Sequence, residues 1–268
     1  MASIDTSPGG RKFGANAELY DFARPGYPPE LYEWLQSECN LSPDTRCFEI
    51  GPGTGQATLP MLAMPVGSIV AIEPDAGLAA HLRAATRDPR LSISPLRFEA
   101  FDLGVQAFDF GFAAMSVHWL QRMKAYGRIL TALRPGGHFA MWWNVFHDRA
   151  QPDAFDRAIA HLFDGLEQDP NATSKRPAFG LDVASRTGEM RSAGFADVRH
   201  RMFSQTISFS PERLSGLYAT LSRVLMAPEA TRTRLVQEVE RIVREDFGGS
   251  VARKIVTSAY AARRSTSA

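Results

Sequence analysis

The sequence predicts a doubly wound α/β fold, in which helices cover both faces of a parallel sheet. Between residues 46 and 143, short apolar runs alternate with helical stretches. Polar residues do not interrupt these runs at every second position, and such continuous hydrophobicity is typical of strands buried on both faces. Strands that alternate with helices build parallel sheets. The predicted strands are Arg46–Ile50, Ser68–Glu73, Leu96–Glu99, Phe108–Met115 and His138–Trp143.

Helix start and stop signals lie between the apolar runs. Asp75 follows Pro74 and can cap a helix that runs to about Arg87. The segment Leu133–Gly137 contains one proline and two glycines, which end another helix. Beyond Asn144 the pattern changes to helices with fewer strands. The elements predicted there are a helix over Asp182–Ala193 closed by Gly194, a strand over Asp197–Phe209, helices over Pro211–Met226 and Pro228–Asp246, and a last strand over Ala252–Ala262 after Gly248 and Gly249.

Composition and charge exclude several function classes. The chain has 268 residues, of which 44% are hydrophobic and 22% charged, as in ordinary globular proteins. A net charge of +1 removes the electrostatic basis for a nucleic-acid or anionic-membrane partner. Cys39 and Cys47 form no CxxC or CxxH pair, and no run of 18 apolar residues occurs. Residues Met1–Gly26 contain no signal-peptide pattern. We expect a cytoplasmic protein without a nucleic-acid or membrane partner, as a monomer or a homodimer.

The histidines do not predict a metal site. His147 and Asp148 are adjacent in the chain and cannot chelate a metal by themselves. The other histidines apart from His118 lie on predicted helices or strands without a ligand pattern: His81, His138, His161 and His200.

A glycine triplet is the first feature that indicates a ligand. Gly51, Gly53 and Gly55 lie where a predicted strand ends and a helix begins, and open α/β sheets bind ligands in that crevice. The spacing G-x-G-x-G is one residue shorter than the dinucleotide fingerprint. Glu49 precedes the triplet, and its carboxylate suits an ammonium or sulfonium ligand better than a pyrophosphate. A tight turn without a ligand is the alternative reading.

Glu73 is the second such feature. It ends the next predicted strand, and an acidic residue there can accept hydrogen bonds from both hydroxyls of a ribose. The alternative is a carboxylate that caps the following helix, a role that Asp75 can already serve.

Several segments resemble a known family. Glu49–Gly55, Ala71–Asp75 and Leu133–Gly137 resemble successive motifs of class I S-adenosylmethionine-dependent methyltransferases. Tyr20–Pro28 and Ser116–Trp119 resemble the small-molecule branch of methyltransferase type 11, which includes trans-aconitate methyltransferase-like proteins. The resemblance implies S-adenosyl-L-methionine as cofactor. It also implies a Rossmann-like, mostly parallel seven-stranded sheet whose last strand is antiparallel, with N-terminal and C-terminal helical caps.

The resemblance covers nearly the whole chain and implies a single methyltransferase domain over residues 1–268. Its predicted parts are an N-terminal helical cap at 11–45, a cofactor-binding core at 46–145, and a C-terminal half at 146–262 with inserted cap helices at 211–246.

The resemblance also implies the residues that bind the cofactor. Gly51, Gly53 and Thr54 are expected to line its methionyl part, which Met115 faces through its backbone. Glu73, followed by Pro74, is expected at the ribose.

The adenine is expected beside Glu99, Ala100 and Phe101, with Glu99 accepting from the exocyclic amine. Phe101 stands where such proteins often carry an acidic residue. From an N-terminal helix, Tyr20 and Arg24 are expected to fold over the cofactor, with Arg24 pairing with its carboxylate. A proline-rich entrance to the domain is the alternative for that segment.

His118 is the predicted catalytic residue. It follows the fourth strand of the core and titrates near neutrality, so it can act as a general base toward a hydroxyl or an acidic carbon. A histidine that packs beside Trp119 and orders the loop is the alternative. In either case, holding the acceptor in line with the methyl group can lower the barrier by roughly 7 to 11 kcal/mol.

The acceptor is expected to be a small organic molecule, with a carboxylate or hydroxyl favoured and the methylated atom undetermined between O, C and N. The segment Ala114–Trp119 lacks the Asn/Asp-Pro-Pro-Tyr signature of DNA amino-methylases. Aromatic residues expected at the mouth of the site are Tyr27, Trp119, Trp143 and Phe146. Trp142 is expected at the mouth of the site as well, with core packing as the alternative, because strand alternation places Trp142 and Trp143 on opposite faces.

Two other function classes remain open. A nicotinamide-dependent oxidoreductase would share the sheet, although the glycine spacing does not favour it. A non-catalytic cofactor-binding or scaffold protein would share the fold as well.

Overall fold

The computed structural model describes residues 16–146, 152–166 and 177–266. The chain divides into two compact units, which we describe separately. The sheet unit comprises Gly26–Val145, Phe179–Gln205 and Val256–Ala268. The helical unit comprises Met1–Pro25, Phe146–Ala178 and Thr206–Ile255.

The strands form one seven-stranded sheet in the order β3-β2-β1-β4-β5-β7-β6. The first five strands in this order, β3, β2, β1, β4 and β5, run parallel to one another. Strand β7 runs antiparallel to β5. The predicted Rossmann-like sheet with an antiparallel last strand is therefore confirmed. The strands are β1 (Arg46–Ile50), β2 (Ser68–Ile72), β3 (Leu91–Ser94), β4 (Phe108–Ala114), β5 (Leu133–Val145), β6 (Phe195–Phe209) and β7 (Val251–Arg264).

The prediction of the third strand is wrong in position. The strand that pairs with β2 is Leu91–Ser94, whereas Leu96–Glu99 was predicted from its apolar residues. Pro95 has no backbone N–H with which to continue the ladder. Beyond it, Leu96 is exposed, and Phe98 is buried from a turn rather than from a strand.

The helices are α1 (Ala17–Ala23), α2 (Pro29–Glu38), α3 (Thr58–Ala63), α4 (Ala76–Ala85), α5 (Arg122–Ala132), α6 (Ala154–Ile159), α7 (Val183–Ala193), α8 (Pro211–Ala219), α9 (Ser222–Leu225) and α10 (Glu229–Glu245), with 3-10 turns at Val117–Trp119, Ala160–Phe163 and Phe179–Leu181. Among the residues described, no helix is both long and apolar enough to cross a membrane.

The predicted helix signals act as expected, with two differences in extent. Asp75 caps α4 by accepting from the backbone N–H groups of its first turn, and Gly194 closes α7 with φ +106°. Helix α4 ends at Ala85, because Thr86 is extended. The single helix predicted over Pro211–Met226 is two helices, because the backbone is extended at Leu221.

The sheet unit has an apolar cluster on each face. One cluster contains Trp142 with side chains of α2 and α3, and the other contains Trp143 with side chains of α5 and α7. The predicted alternation of Trp142 and Trp143 is therefore confirmed.

The helical unit packs α1, α6, α8, α9 and α10 around its own apolar cluster. Next to this cluster lies a buried cation, Arg253. Its Nη2 atom is 2.6 Å from Asp156 Oδ1, its Nε atom is 2.9 Å from Asp153 Oδ2, and Nη2 also donates to the Phe146 carbonyl. Asp156 is buried too. Each charge of this pair is therefore stabilised by the other, and removing one would leave the other buried without a partner.

Candidate functional site

The glycine loop, Gly51–Gly55, leaves the carboxyl end of β1. Its three glycines have φ values of +66°, +61° and +105°, which glycine adopts without steric cost. A Cβ atom at Gly51 would lie 2.8 Å from Cβ of Ser116, the second residue after β4. The loop backbone is therefore in close contact with the chain that leaves β4, and Ser116 Oγ also donates to the carbonyl of Ile50.

Glu73 connects the end of β2 to the glycine loop. Its Oε2 atom accepts from Gly53 N at 3.0 Å, and its Oε1 atom accepts from Asp75 N at 2.9 Å. Burial raises the pKa of Glu73 above its ordinary value, although the two backbone hydrogen bonds oppose that shift. Each carboxylate oxygen has a second lone pair, so the group can still accept the hydroxyls of a ribose.

Glu49 is a second buried carboxylate beside the loop. Thr58 Oγ1 donates to Glu49 Oε2 at 2.6 Å, while Oε1 has no hydrogen-bond partner among the described residues. Burial is the main cause that raises the pKa of Glu49 to about 8, against the opposing hydrogen bond from Thr58. A buried oxygen that lacks a donor fits a cationic ligand group, as the ammonium or sulfonium of S-adenosylmethionine would supply.

The raised pKa of Glu49 predicts a pH-dependent stability. The unfolded chain ionises this group near pH 4.5 and the folded protein near pH 8, so folding binds a proton in that interval. We expect the free energy of unfolding, measured by urea denaturation without cofactor, to fall by a few kcal/mol between these values. In Glu49→Gln this part of the pH dependence should disappear. A variant with the wild-type pH dependence would show that another group is responsible.

His118 lies in the 3-10 turn after β4, next to the second apolar cluster. Trp143 Nε1 donates to His118 Nδ1 at 3.1 Å. The His118 ring is 4.9 Å from the Trp119 ring and 5.7 Å from the Phe179 ring, centre to centre. Trp119 is 45% exposed, whereas Trp143 is 3% exposed. The structure thus brings His118, Trp119 and Trp143 together, with Trp143 as the buried support.

Sequence reasoning missed Phe179 and its cationic neighbours. The guanidinium of Arg186 stacks 3.7 Å above the Phe179 ring, and that of Arg122 lies 5.2 Å from it. Both guanidinium groups contact Glu189. The arrangement depends on contacts between α5, α7 and the turn before α7, so no local pattern in the sequence predicts it.

Met115 has a backbone conformation unusual for its residue type. Its φ is +55°, its N–H donates to the carbonyl of Trp142, and its Sδ atom accepts from Asn144 N at 3.1 Å. These contacts fix the turn that precedes His118. The expected contact of the Met115 backbone with the methionyl group stays a prediction.

The residues predicted at the adenine follow β3 after a turn. Glu99 and Ala100 are exposed, and Glu99 lies 3.8 Å from Arg97 in an ion pair. Phe101 is half-buried, and its carbonyl accepts from Arg128 Nη2 at 2.6 Å. Their contact with adenine is untested.

Tyr27 is positioned by its neighbour. The carbonyl of Gly26 accepts from Asn144 Nδ2 at 3.1 Å and from Gln205 Nε2 at 2.9 Å. Tyr27 then packs edge-on against Trp142, at 5.8 Å between ring centres. It therefore lies with the cluster of Trp142, on the face of the sheet opposite Trp143, so these two predicted acceptor residues do not form one surface.

Tyr20, Arg24 and Phe146 belong to the helical unit. Arg24 Nε donates to Thr220 Oγ1 at 2.8 Å, and Arg24 Nη2 donates to the Thr220 carbonyl at 2.9 Å. The Arg24 guanidinium lies 5.1 Å from the Tyr20 ring and 5.2 Å from the Phe146 ring. Pairing of Arg24 with a cofactor carboxylate remains an expectation.

Within residues 16–146, 152–166 and 177–266, no group of three or more His, Cys, Asp or Glu side chains is arranged to hold a metal ion. The pair His147 and Asp148 lies outside the described residues.

Comparisons with known proteins agree on one family. Residues 48–141 match the family model described as a methyltransferase domain. An uncharacterized methyltransferase of Schizosaccharomyces pombe is 23% identical over 260 residues, covering 95% of this chain and 98% of its own. A structure from Anaeromyxobacter dehalogenans assigned as a type II methyltransferase has a TM-score of 0.61 at 22% identity, covering 91% of this chain and 98% of that one. Phosphoethanolamine N-methyltransferase 2 of Haemonchus contortus, solved with S-adenosylhomocysteine, has a TM-score of 0.57 at 13% identity, over 96% of this chain and 60% of that one.

Proposed function

Since the chain belongs to the class I S-adenosylmethionine-dependent methyltransferases, we propose that it transfers the methyl group of this cofactor to a small organic acceptor. A carboxylate or hydroxyl oxygen is the favoured acceptor atom. The observation that carries the proposal is the pair of buried carboxylates beside the glycine loop, one of which has an oxygen that accepts from no donor among the described residues. When bound, the cofactor supplies an electrophilic methyl group on a positively charged sulfur.

Several residues in and beside the glycine loop have a proposed role in binding. Glu73 accepts from the ribose hydroxyls. Glu49 loses its proton when the cofactor binds, and its carboxylate then offsets the positive charge of the cofactor. Gly51, Gly53 and Thr54 line the methionyl part. Thr54 is buried and donates through Oγ1 to Gln56 Oε1, which keeps its side chain folded against the loop.

The turn after β4 is the proposed place of the acceptor. It begins at Ser116, which contacts the glycine loop, and it carries His118 and the exposed ring of Trp119. An acceptor on this turn would be held beside the loop, and methyl transfer depends mainly on such positioning. The turn presents an apolar ring next to an imidazole. This pair of side chains suits a molecule with an apolar body and one polar end.

Two measurements test the proposal. Calorimetric titration should show binding of S-adenosylhomocysteine and S-adenosylmethionine and no binding of NADH. Incubation with S-adenosylmethionine and a panel of carboxylic acids, phenols and amines should give an acceptor that is heavier by one methylene unit in mass spectrometry. Binding of NADH instead would favour an oxidoreductase, and cofactor binding without turnover across the panel would favour a binding protein.

A further inference from the structure

We infer that Phe179 is a specificity-determining residue of the acceptor site, because its ring covers a buried guanidinium and presents an apolar surface in its place. The inference rests on the proposed function, in which the acceptor lies on the turn after β4. The ring of Phe179 is half-buried. It lies 5.7 Å from the ring of His118 and 5.2 Å from the ring of Trp143, between centres. Phe179 therefore borders the proposed place of the acceptor without belonging to that turn.

The covered guanidinium belongs to Arg186, in the first turn of α7. It lies 3.7 Å from the centre of the Phe179 ring, as is typical of a cation stacked on an aromatic face. Arg186 is 5% exposed, and its Nη2 atom donates to Glu189 Oε1 at 2.9 Å. Its Nε and Nη1 atoms have no hydrogen-bond partner among the described residues. The ring therefore covers a cation whose N–H groups an anion could use if the ring were absent.

A second guanidinium, that of Arg122, lies against the same ring. It is 5.2 Å from the ring centre of Phe179, and its Nε atom donates to Glu189 Oε2 at 3.0 Å. Glu189 thus accepts from both Arg122 and Arg186. Because one carboxylate holds both guanidinium groups, the two cations stay in contact with the ring.

The backbone of the turn that carries Phe179 is fixed as well. Tyr260, which is buried in β7, donates through Oη to the Gly180 carbonyl at 2.7 Å. A Cβ atom at Gly180 would lie 2.7 Å from Cβ of Trp143, so this glycine allows the turn to pack directly on β5. The Phe179 ring therefore has a defined position beside Trp143, as a residue that selects among acceptors requires.

This arrangement determines which group the acceptor can place beside Phe179. An apolar group gains from contact with the ring, whereas a carboxylate there would lose hydration without reaching the N–H groups of Arg186. With a small side chain at position 179, the same carboxylate could contact the guanidinium. The residue at this position should therefore set the preference between an apolar and a negatively charged group on the acceptor.

The probes are matched pairs of acceptors that carry either a methyl group or a carboxylate at the end remote from the reacting group. They are para-methylphenol with para-hydroxybenzoic acid, para-methylbenzoic acid with terephthalic acid, and para-methylbenzylamine with para-(aminomethyl)benzoic acid. The methylated position is identified by chromatography against synthetic standards. The measured quantity is the ratio of kcat/KM for the carboxylate member to kcat/KM for the methyl member, so losses that are common to both members cancel.

Three variants test the role of the ring. Phe179→Ala is expected to raise this ratio about ten- to a hundredfold, as for a new hydrogen bond to a charged group. Phe179→Leu keeps an apolar cover over Arg186, and its ratio should stay within about threefold of the wild-type value. In Phe179→Ala/Arg186→Met the guanidinium is absent, so the ratio should return to the wild-type value. An unchanged ratio in Phe179→Ala, or an equal rise in the single and the double variant, would overturn the inference.

Arg186→Met alone tests the cover without altering Phe179, and it keeps the inference testable if Phe179→Ala does not fold. Because the ring covers the guanidinium, the ratio should stay within about threefold of the wild-type value. A fall of about tenfold or more would mean that the acceptor already contacts Arg186, and it would overturn the inference.

Titration with S-adenosylhomocysteine separates a failure of the inference from a failure of the proposed function. Phe179 lies in the turn before α7 and the glycine loop follows β1, so each folded variant should bind S-adenosylhomocysteine with the wild-type affinity. Such binding together with an unchanged ratio in Phe179→Ala refutes the inference alone. If the wild type binds S-adenosylhomocysteine but methylates no member of any pair, the proposed function fails and the inference fails with it.

Discussion

Replacing Glu73 by alanine is expected to weaken the binding of S-adenosylhomocysteine about ten- to a hundredfold. The variant has no carboxylate to accept from the ribose hydroxyls, so the loss corresponds to the roughly 1.5 to 3 kcal/mol of a charge-assisted hydrogen bond. Calorimetric titration of the wild type and the variant measures this change directly. Glu73→Gln keeps one acceptor oxygen for the backbone N–H groups of Gly53 and Asp75 and should lie between the two.

Because Glu73 also supports the glycine loop, the ribose contact needs its own control. Adenosine and 2′,3′-dideoxyadenosine differ only in the hydroxyls assigned to Glu73. In the wild type the dideoxy compound should bind more weakly, and in Glu73→Ala the two should bind alike. If the preference for adenosine persists in the variant, Glu73 holds the loop and another group holds the ribose.

Replacing Arg253 by methionine is expected to cost about 3 to 5 kcal/mol of unfolding free energy. The change leaves Asp156 as a buried carboxylate without its cation, and that uncompensated charge causes most of the loss. Urea denaturation, followed by tryptophan fluorescence and circular dichroism, gives the value.

Two variants check that explanation. In Arg253→Met/Asp156→Asn the charge is removed together with its partner, while the amide can still accept from Asp153 N as the carboxylate does. Stability should recover in part. Arg241→Met removes a cation that pairs with Glu238 and Glu245 on the exposed side of α10, and little change is expected because exposed ion pairs contribute little. Equal losses in Arg241→Met and Arg253→Met would mean that burial of the pair is not the cause.

Strands buried on both faces could be predicted from the sequence, and the short edge strand could not. In β4 nearly every side chain is buried, so continuous hydrophobicity reports the strand. In β3 the sequence is Leu-Ser-Ile-Ser and the side chains are only half-buried or exposed, so the pattern is weak. The prediction chose Leu96–Glu99 because that segment is more apolar than Leu91–Ser94. Pro95, however, prevents that segment from extending the ladder.

The positions of site residues could be predicted from the sequence where those residues lie at the ends of strands. The glycine loop and Glu73 lie at the carboxyl ends of adjacent strands, and a parallel sheet brings such ends together. The hydrogen bond between Trp143 and His118, and the stacking of Arg186 on Phe179, join segments that are 25 and 7 residues apart. Such contacts depend on how helices and turns pack against the sheet, which no periodicity encodes.

The contact between Gly180 and Trp143 restricts which residues fit at position 180. Because a Cβ atom at position 180 would collide with Cβ of Trp143, and not with the movable end of its side chain, no rotamer of the tryptophan relieves the collision. The glycine can therefore be exchanged only if the backbone near position 143 shifts as well. Every residue except glycine carries a Cβ atom, so a smaller side chain at position 143 would not make room for one at position 180, and glycine is the residue that this backbone accepts there.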